Sequence, residues 1–153
     1  MTLSELMEGR ASEPLERAGL SPREALAKAR LFARAAEALQ GGGAGGSATV
    51  HAYFVPGRIE VLGKHTDYAG GRSIVAAVER GFCMVAVPRA DARVTVTAVG
   101  INERLECALD AHMDVPESGW TNYPMTVMRR LVRKFGALRS EEHTSELQSP
   151  CNL

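Results

Sequence analysis

The stretch Pro56-Gly57-Arg58-Ile59-Glu60-Val61-Leu62-Gly63-Lys64-His65-Thr66-Asp67-Tyr68-Ala69-Gly70-Gly71 constrains the fold of this chain more than any other. Pro56-Gly57 reads as a turn, because the two residues together punctuate structure. The apolar, β-branched run Ile59-Glu60-Val61-Leu62 reads as a strand. Glycines then bracket Lys64, His65, Thr66, Asp67 and Tyr68 at the strand end. Glycine permits close backbone approach to a ligand. His65 and Asp67, two residues apart, share one side of an extended segment. A carboxylate accepts hydroxyl protons and an imidazole donates or accepts, so the stretch suits a polyhydroxylated ligand.

The flanks supply the rest of the fold. Ser21-Pro22-Arg23-Glu24 predicts a helix start, with Ser21 as cap, Pro22 at the first position and Glu24 completing a capping box. Leu26, Ala29, Phe32, Ala36 and Leu39 continue at helical spacing, and the glycine run from Gly41 to Gly46 ends the helix by Gln40 and acts as a flexible connector. Residues 1–20 are weakly patterned and predict a short helix and a loose lead. Thr49–Val55, Ser73–Val78, Phe82–Val87, Arg93–Val99 and Arg104–Leu109 read as strands, with Gly100-Ile101-Asn102 as a hairpin turn. His51 reads as a strand residue, and Cys83 and Cys107 as core thiols. A helix to Phe135 follows Trp120-Thr121-Asn122-Tyr123, and Arg129, Arg130, Arg133 and Lys134 read as its solvated face. The expected class is α+β: a mixed or mostly antiparallel sheet of about five strands with packed helices.

Composition narrows the function. The 153 residues carry a formal charge of zero and a pI near 6.9. That predicts no electrostatic attraction to nucleic acid or an anionic membrane. No apolar run approaches the ~20 residues of a membrane span. Cys83, Cys107 and Cys151 show no metal or redox spacing, so reduced thiols, no metal site and a cytoplasmic location are expected.

Gly57, Arg58, Gly63, His65, Thr66, Asp67, Tyr68, Gly70 and Gly71, with apolar Ile59, Val61 and Leu62 between them, resemble the first signature of the galactokinase branch of the GHMP small-molecule kinases. Trp120 and Tyr123 before a helix are similar to a Trp-x-x-Tyr of those enzymes, so the resemblance covers residues 30–137. It implies the ribosomal protein S5 domain 2-like N-terminal half of a GHMP kinase. It implies ATP-dependent phosphoryl transfer to the anomeric hydroxyl of galactose or a related sugar, with ATP and Mg²⁺ as cofactors and a small-molecule sugar as partner. It implies that Arg58 is catalytic, steadying a catalytic aspartate and developing charge, which suits a permanently charged, fork-shaped guanidinium. It implies that Glu60, Lys64, His65, Asp67 and Tyr68 form the sugar site.

Two positions depart from that pattern, which has Asn at 60 and Glu at 64. Lys64 can only donate where a glutamate accepts. Glu60 and Lys64 pair with each other, or Lys64 meets an acidic substituent on a different sugar. The structural alternatives are an ion pair from Arg58 to Glu60 or a nearby carboxylate, and a turn-stabilising bond from Asp67. The family's phosphate loop and catalytic aspartate are expected downstream; neither 41–46 nor 70–71 has that loop's pattern. The chain thus reads as the sugar-recognition part of a kinase. A non-catalytic sugar-binding relative is the alternative, and the downstream sequence separates the two. Residues 139–153 look like a translation of a sequencing-adapter oligonucleotide. The expected organisation is a helical lead and Gly-rich linker at 1–48, the recognition region at 49–138 and a non-native tail at 139–153.

Overall fold

The computed structural model describes residues 1–136, the side chain of Asp67 excepted. The expectation for residues 139–153 lies outside the described residues. The chain divides into a unit from Met1 to Val87 and a second unit that begins at Pro88.

The first unit opens with two short helices, α1 (Leu3–Met7) and α2 (Ser12–Arg17). α1 carries a full capping box, with the Thr2 hydroxyl accepting from the Glu5 amide and the Glu5 carboxylate from the Thr2 amide. This corrects the expected loose lead: Leu3 and Leu6 are wholly buried and seed the core. The glycine connector is also tied down, since the Leu3 amide donates to the Ala48 carbonyl and the Ser4 amide to the Gly46 carbonyl.

α3 (Pro22–Gly41) starts as its sequence dictates, with the Ser21 side chain accepting from the Glu24 amide. The Glu24 carboxylate does not close the expected box; it reaches Lys28 at 3.3 Å, one turn along. The buried stripe is Ala25, Lys28, Ala29, Phe32 and Ala36, so Leu26 lies off it and is half exposed. Lys28 tolerates this position because its stem is apolar and its ammonium also lies 5.4 Å from the Phe54 ring centroid.

Ala29, Phe32 and Ala36 of α3, with Leu3, Leu6, Ala11 and Val50, form the core. Against it lies an antiparallel ribbon of β1 (His51–Leu62) and β2 (Ile74–Ala86). Phe54 faces Cys83 across the ribbon, and both pack on the core with Val85 and Val87. Burial pushes the Cys83 thiol up.

The ribbon corrects two expectations. Pro56-Gly57 does not turn the chain but lies within β1, and the runs at 73–78 and 82–87 are one strand. Pro56 pairs Gly81 and Gly57 pairs Val78, leaving Glu79 and Arg80 as a bulge. A bulge accommodates a proline that cannot donate to the ladder. Gly81 completes it, since a Cβ there would run into the Val55 carbonyl. Beyond the bulge, residues 57–62 and 74–77 have largely exposed side chains.

The second unit holds the hairpin β3 (Arg93–Ala98) and β4 (Glu103–Ala108), turning through residues 99–102 with Asn102 at φ +53°. Arg93 pairs Glu106 across it at 2.9 Å. α4 (Asn122–Phe135) follows as expected, burying Met128 and Val132. Its Arg133 is exposed but donates Nε to the Ala111 carbonyl at 2.7 Å, and Arg129 is half-buried instead of on the solvated face. Among the described residues the strands form two separate two-stranded sheets in place of a five-stranded one. The class is α+β with small antiparallel sheets.

Candidate functional site

The candidate site is the outer end of the β1–β2 ribbon and the loop that joins its strands. Arg58 pairs Ala77 and Glu60 pairs Val75. Alternation puts Arg58 and Glu60 on one face of the ribbon. Both are exposed. Among the described residues no ion pair joins Arg58, Glu60 or Lys64 to any partner, so neither the Arg58–Glu60 nor the Glu60–Lys64 pair forms.

The loop turns back on itself at Gly63, where φ is +84° and a Cβ would collide with the Arg72 carbonyl. That close approach is what requires glycine. Lys64 and His65 follow, and His65 adopts φ +65°, a left-handed backbone that histidine visits more readily than most residues. A short 3-10 turn over Asp67–Ala69 then brings the chain to Gly70, at φ +76°. The loop stacks the His65 and Tyr68 rings, with centroids 5.7 Å apart and planes 21° from parallel. Tyr68 is 82% exposed. The expectation for the Asp67 carboxylate lies outside the described residues.

Of the sequence-derived candidates, the structure therefore brings His65 and Tyr68 together and aligns Arg58 with Glu60 on the strand. No described contact links the strand pair to the loop pair. Lys64 stands exposed beside His65.

Sequence reasoning passed over the two hydroxyls that tie the loop. Thr66 Oγ1 lies 2.8 Å from the Gly63 carbonyl and 3.2 Å from that of Arg72. Ser73 Oγ donates to the same Gly63 carbonyl at 3.0 Å. The available signal is a threonine three residues after a strand-terminal glycine, a spacing at which a hydroxyl competes for local backbone groups.

A family model described as the galactokinase galactose-binding signature matches residues 44–88, the ribbon and this loop. The galactokinase of Enterococcus faecalis is 35% identical over 82 residues, which is 52% of this chain and 21% of that protein. The galactokinase of Streptococcus mutans is 37% identical over 81 residues, with the same coverage of 52% and 21%. That of Lactiplantibacillus plantarum is 34% identical over 84 residues, 53% of this chain and 21% of its own. No solved structure matches the chain. The matched signature and these relatives make the chain similar to carbohydrate kinases. More narrowly, it is a relative of the galactokinase branch over about half its length, and it spans about a fifth of the curated relatives it matches.

Proposed function

We propose that residues 49–138 are the sugar-recognition region of a galactokinase-type, ATP-dependent kinase. The whole protein would transfer a phosphoryl group to the anomeric hydroxyl of galactose or a related sugar. The observation that carries this reading is the galactose-binding signature laid over the β1–β2 ribbon and its loop. In it His65, Asp67 and Tyr68 meet the sugar from the loop, Lys64 and Glu60 set which sugar is accepted, and Arg58 serves the reacting centre. ATP and Mg²⁺ are the cofactors of the whole enzyme. The N-terminal half then takes the ribosomal protein S5 domain 2-like form of the GHMP kinases, in the cytoplasm.

Phosphoryl transfer asks the protein mainly for positioning and charge stabilisation. Arg58 is suited to the second task because it stays charged and makes no described ion pair that would have to break. The His65–Tyr68 pair is suited to the first, because aromatic faces are apolar bodies with polar tips and a sugar ring has apolar and hydroxyl-bearing sides. The test is titration of the purified chain with galactose and galacturonate, followed by NMR. Saturable shifts at His65, Tyr68 and Arg58 are expected with at least one sugar. Shifts scattered over the surface, or none, overturn the reading.

A further inference from the structure

We propose that Thr66 is the positioning residue of the sugar loop: its hydroxyl ties the loop's start to its end and so holds the His65 and Tyr68 rings in register. This rests on the sugar-binding reading and adds a residue that need not touch the sugar. Residues 64–66 and 68–72 are all exposed, so burial does not fix this loop. Hydrogen bonds do, and they converge on Thr66. Its one hydroxyl proton is shared between the carbonyls of Gly63 and Arg72, nine residues apart in the chain, at 2.8 and 3.2 Å. Its amide donates to Gly63 at 3.1 Å, and its carbonyl accepts from the amides of Ala69 at 3.1 Å and Gly71 at 2.8 Å. The side chains at 65 and 68 are thus set by Thr66, one of the two residues between them.

Two further features lie beside the same contact. His65 sits immediately before Thr66 at φ +65°, a conformation that persists only where neighbours hold it. Gly71 is closed over Thr66, and a Cβ at position 71 would lie 2.8 Å from the threonine Cβ and 2.8 Å from its carbonyl oxygen. Valine matches threonine in shape but lacks the hydroxyl, so it removes the tie alone. Serine keeps the hydroxyl and removes the methyl.

The experiment compares the intact chain with its Thr66→Val, Thr66→Ser and Gly71→Ala variants. Three readouts are taken: amide exchange at Ala69 and Gly71, the NMR contact between the His65 and Tyr68 rings, and affinity for galactose and galacturonate. Thr66→Val is expected to lose the ring contact, to exchange about tenfold faster at both amides and to bind sugar about tenfold more weakly. Its melting temperature should not change, because the core lies elsewhere. Thr66→Ser should stay within about twofold of the parent on all three, and Gly71→Ala should behave as Thr66→Val does. Retention of amide protection and ring contact in Thr66→Val overturns the proposal. So does failure of Thr66→Ser to rescue, which would assign the role to the methyl. If the parent binds neither sugar, the sugar reading falls, while the exchange and ring readouts still decide the role of Thr66.

Discussion

Lys64 follows the left-handed turn at Gly63 and stands exposed, with no ion pair to a described residue. The resemblance places a glutamate there. Reversing the charge replaces an acceptor of sugar hydroxyls with a donor, and a site built for one hydrogen-bonding pattern discriminates against another. Galacturonate should therefore bind more tightly than galactose, and Lys64→Glu should reverse that order. Calorimetric titration of both forms with both sugars checks it; an order unchanged by Lys64→Glu would sink the specificity role. At this scale the residues of the candidate loop could be named from the sequence, and their conformations could not. A period-two reading treats His65 as one more extended residue. Nothing in a single sequence announces a positive φ at a non-glycine position, because it is settled by the contacts the loop makes once folded.

At the scale of elements, α3 and the β2 bulge meet through charge. Glu79 belongs to the bulge and Glu24 to the first turn of α3. A protonated Glu79 carboxyl can donate to the Glu24 carboxylate, which raises the Glu79 pKa; residual burial and Glu24's negative charge act in the same direction. The same bond, followed by the contact with Lys28, lowers Glu24. Arg23 and Lys28 of α3 are the cations that face the pair, with Cys83 of β2 and Phe54 of β1 near Lys28. The signs oppose each other. Glu79 binds its proton more tightly folded than unfolded, so its contribution is full below the ordinary value of 4.5 and is lost as pH rises through its raised value. Glu24 contributes above 4.5 and loses that contribution as pH falls through its lowered value. Thermal melts should show stability falling as pH climbs just above 4.5, and Glu79→Gln should flatten that slope. A slope identical in the two proteins would remove Glu79 from the account.

The two long helices, α3 and α4, were legible because their signals are local. Ser21-Pro22 and the spacing of Ala29, Phe32 and Ala36 fix α3 within a residue of its observed ends. The ribbon was not, because proline and glycine at 56–57 look like a break unless the partner strand is known to carry Gly81 and two unpaired residues. Leu3 and Leu6 escaped notice for a similar reason: α1 is too short to show a period, and its burial depends on partners in α3 and at Val50.

For the whole molecule, the placement of its glycines bears on turnover. The glycine run begins at Gly41, the last residue of α3, and continues beyond its C-terminal end to Gly46, and Gly70–Gly71 close the signature loop. A phosphate is favoured at a helix N-terminus, where amides point outward and the dipole is positive. Neither stretch lies at such an end. The 153-residue chain should therefore show no sugar-dependent consumption of ATP. A coupled assay of sugar-dependent ADP release, with Arg58→Ala as the control, checks this; sustained release above that control would refute it.

The left-handed backbone at His65 also shapes what mutation can teach about this site. Any β-branched replacement there meets a steric penalty before its chemistry is felt. Even alanine carries a share of it, of roughly 1 kcal/mol. Glycine alone is at ease in that conformation. Position 65 is thus filtered twice, once by geometry and once by chemistry, and an inactive alanine variant confounds the two. His65→Gly deletes the imidazole with little steric cost at φ +65°, so the difference between the glycine and alanine variants measures the backbone's share of the histidine's role.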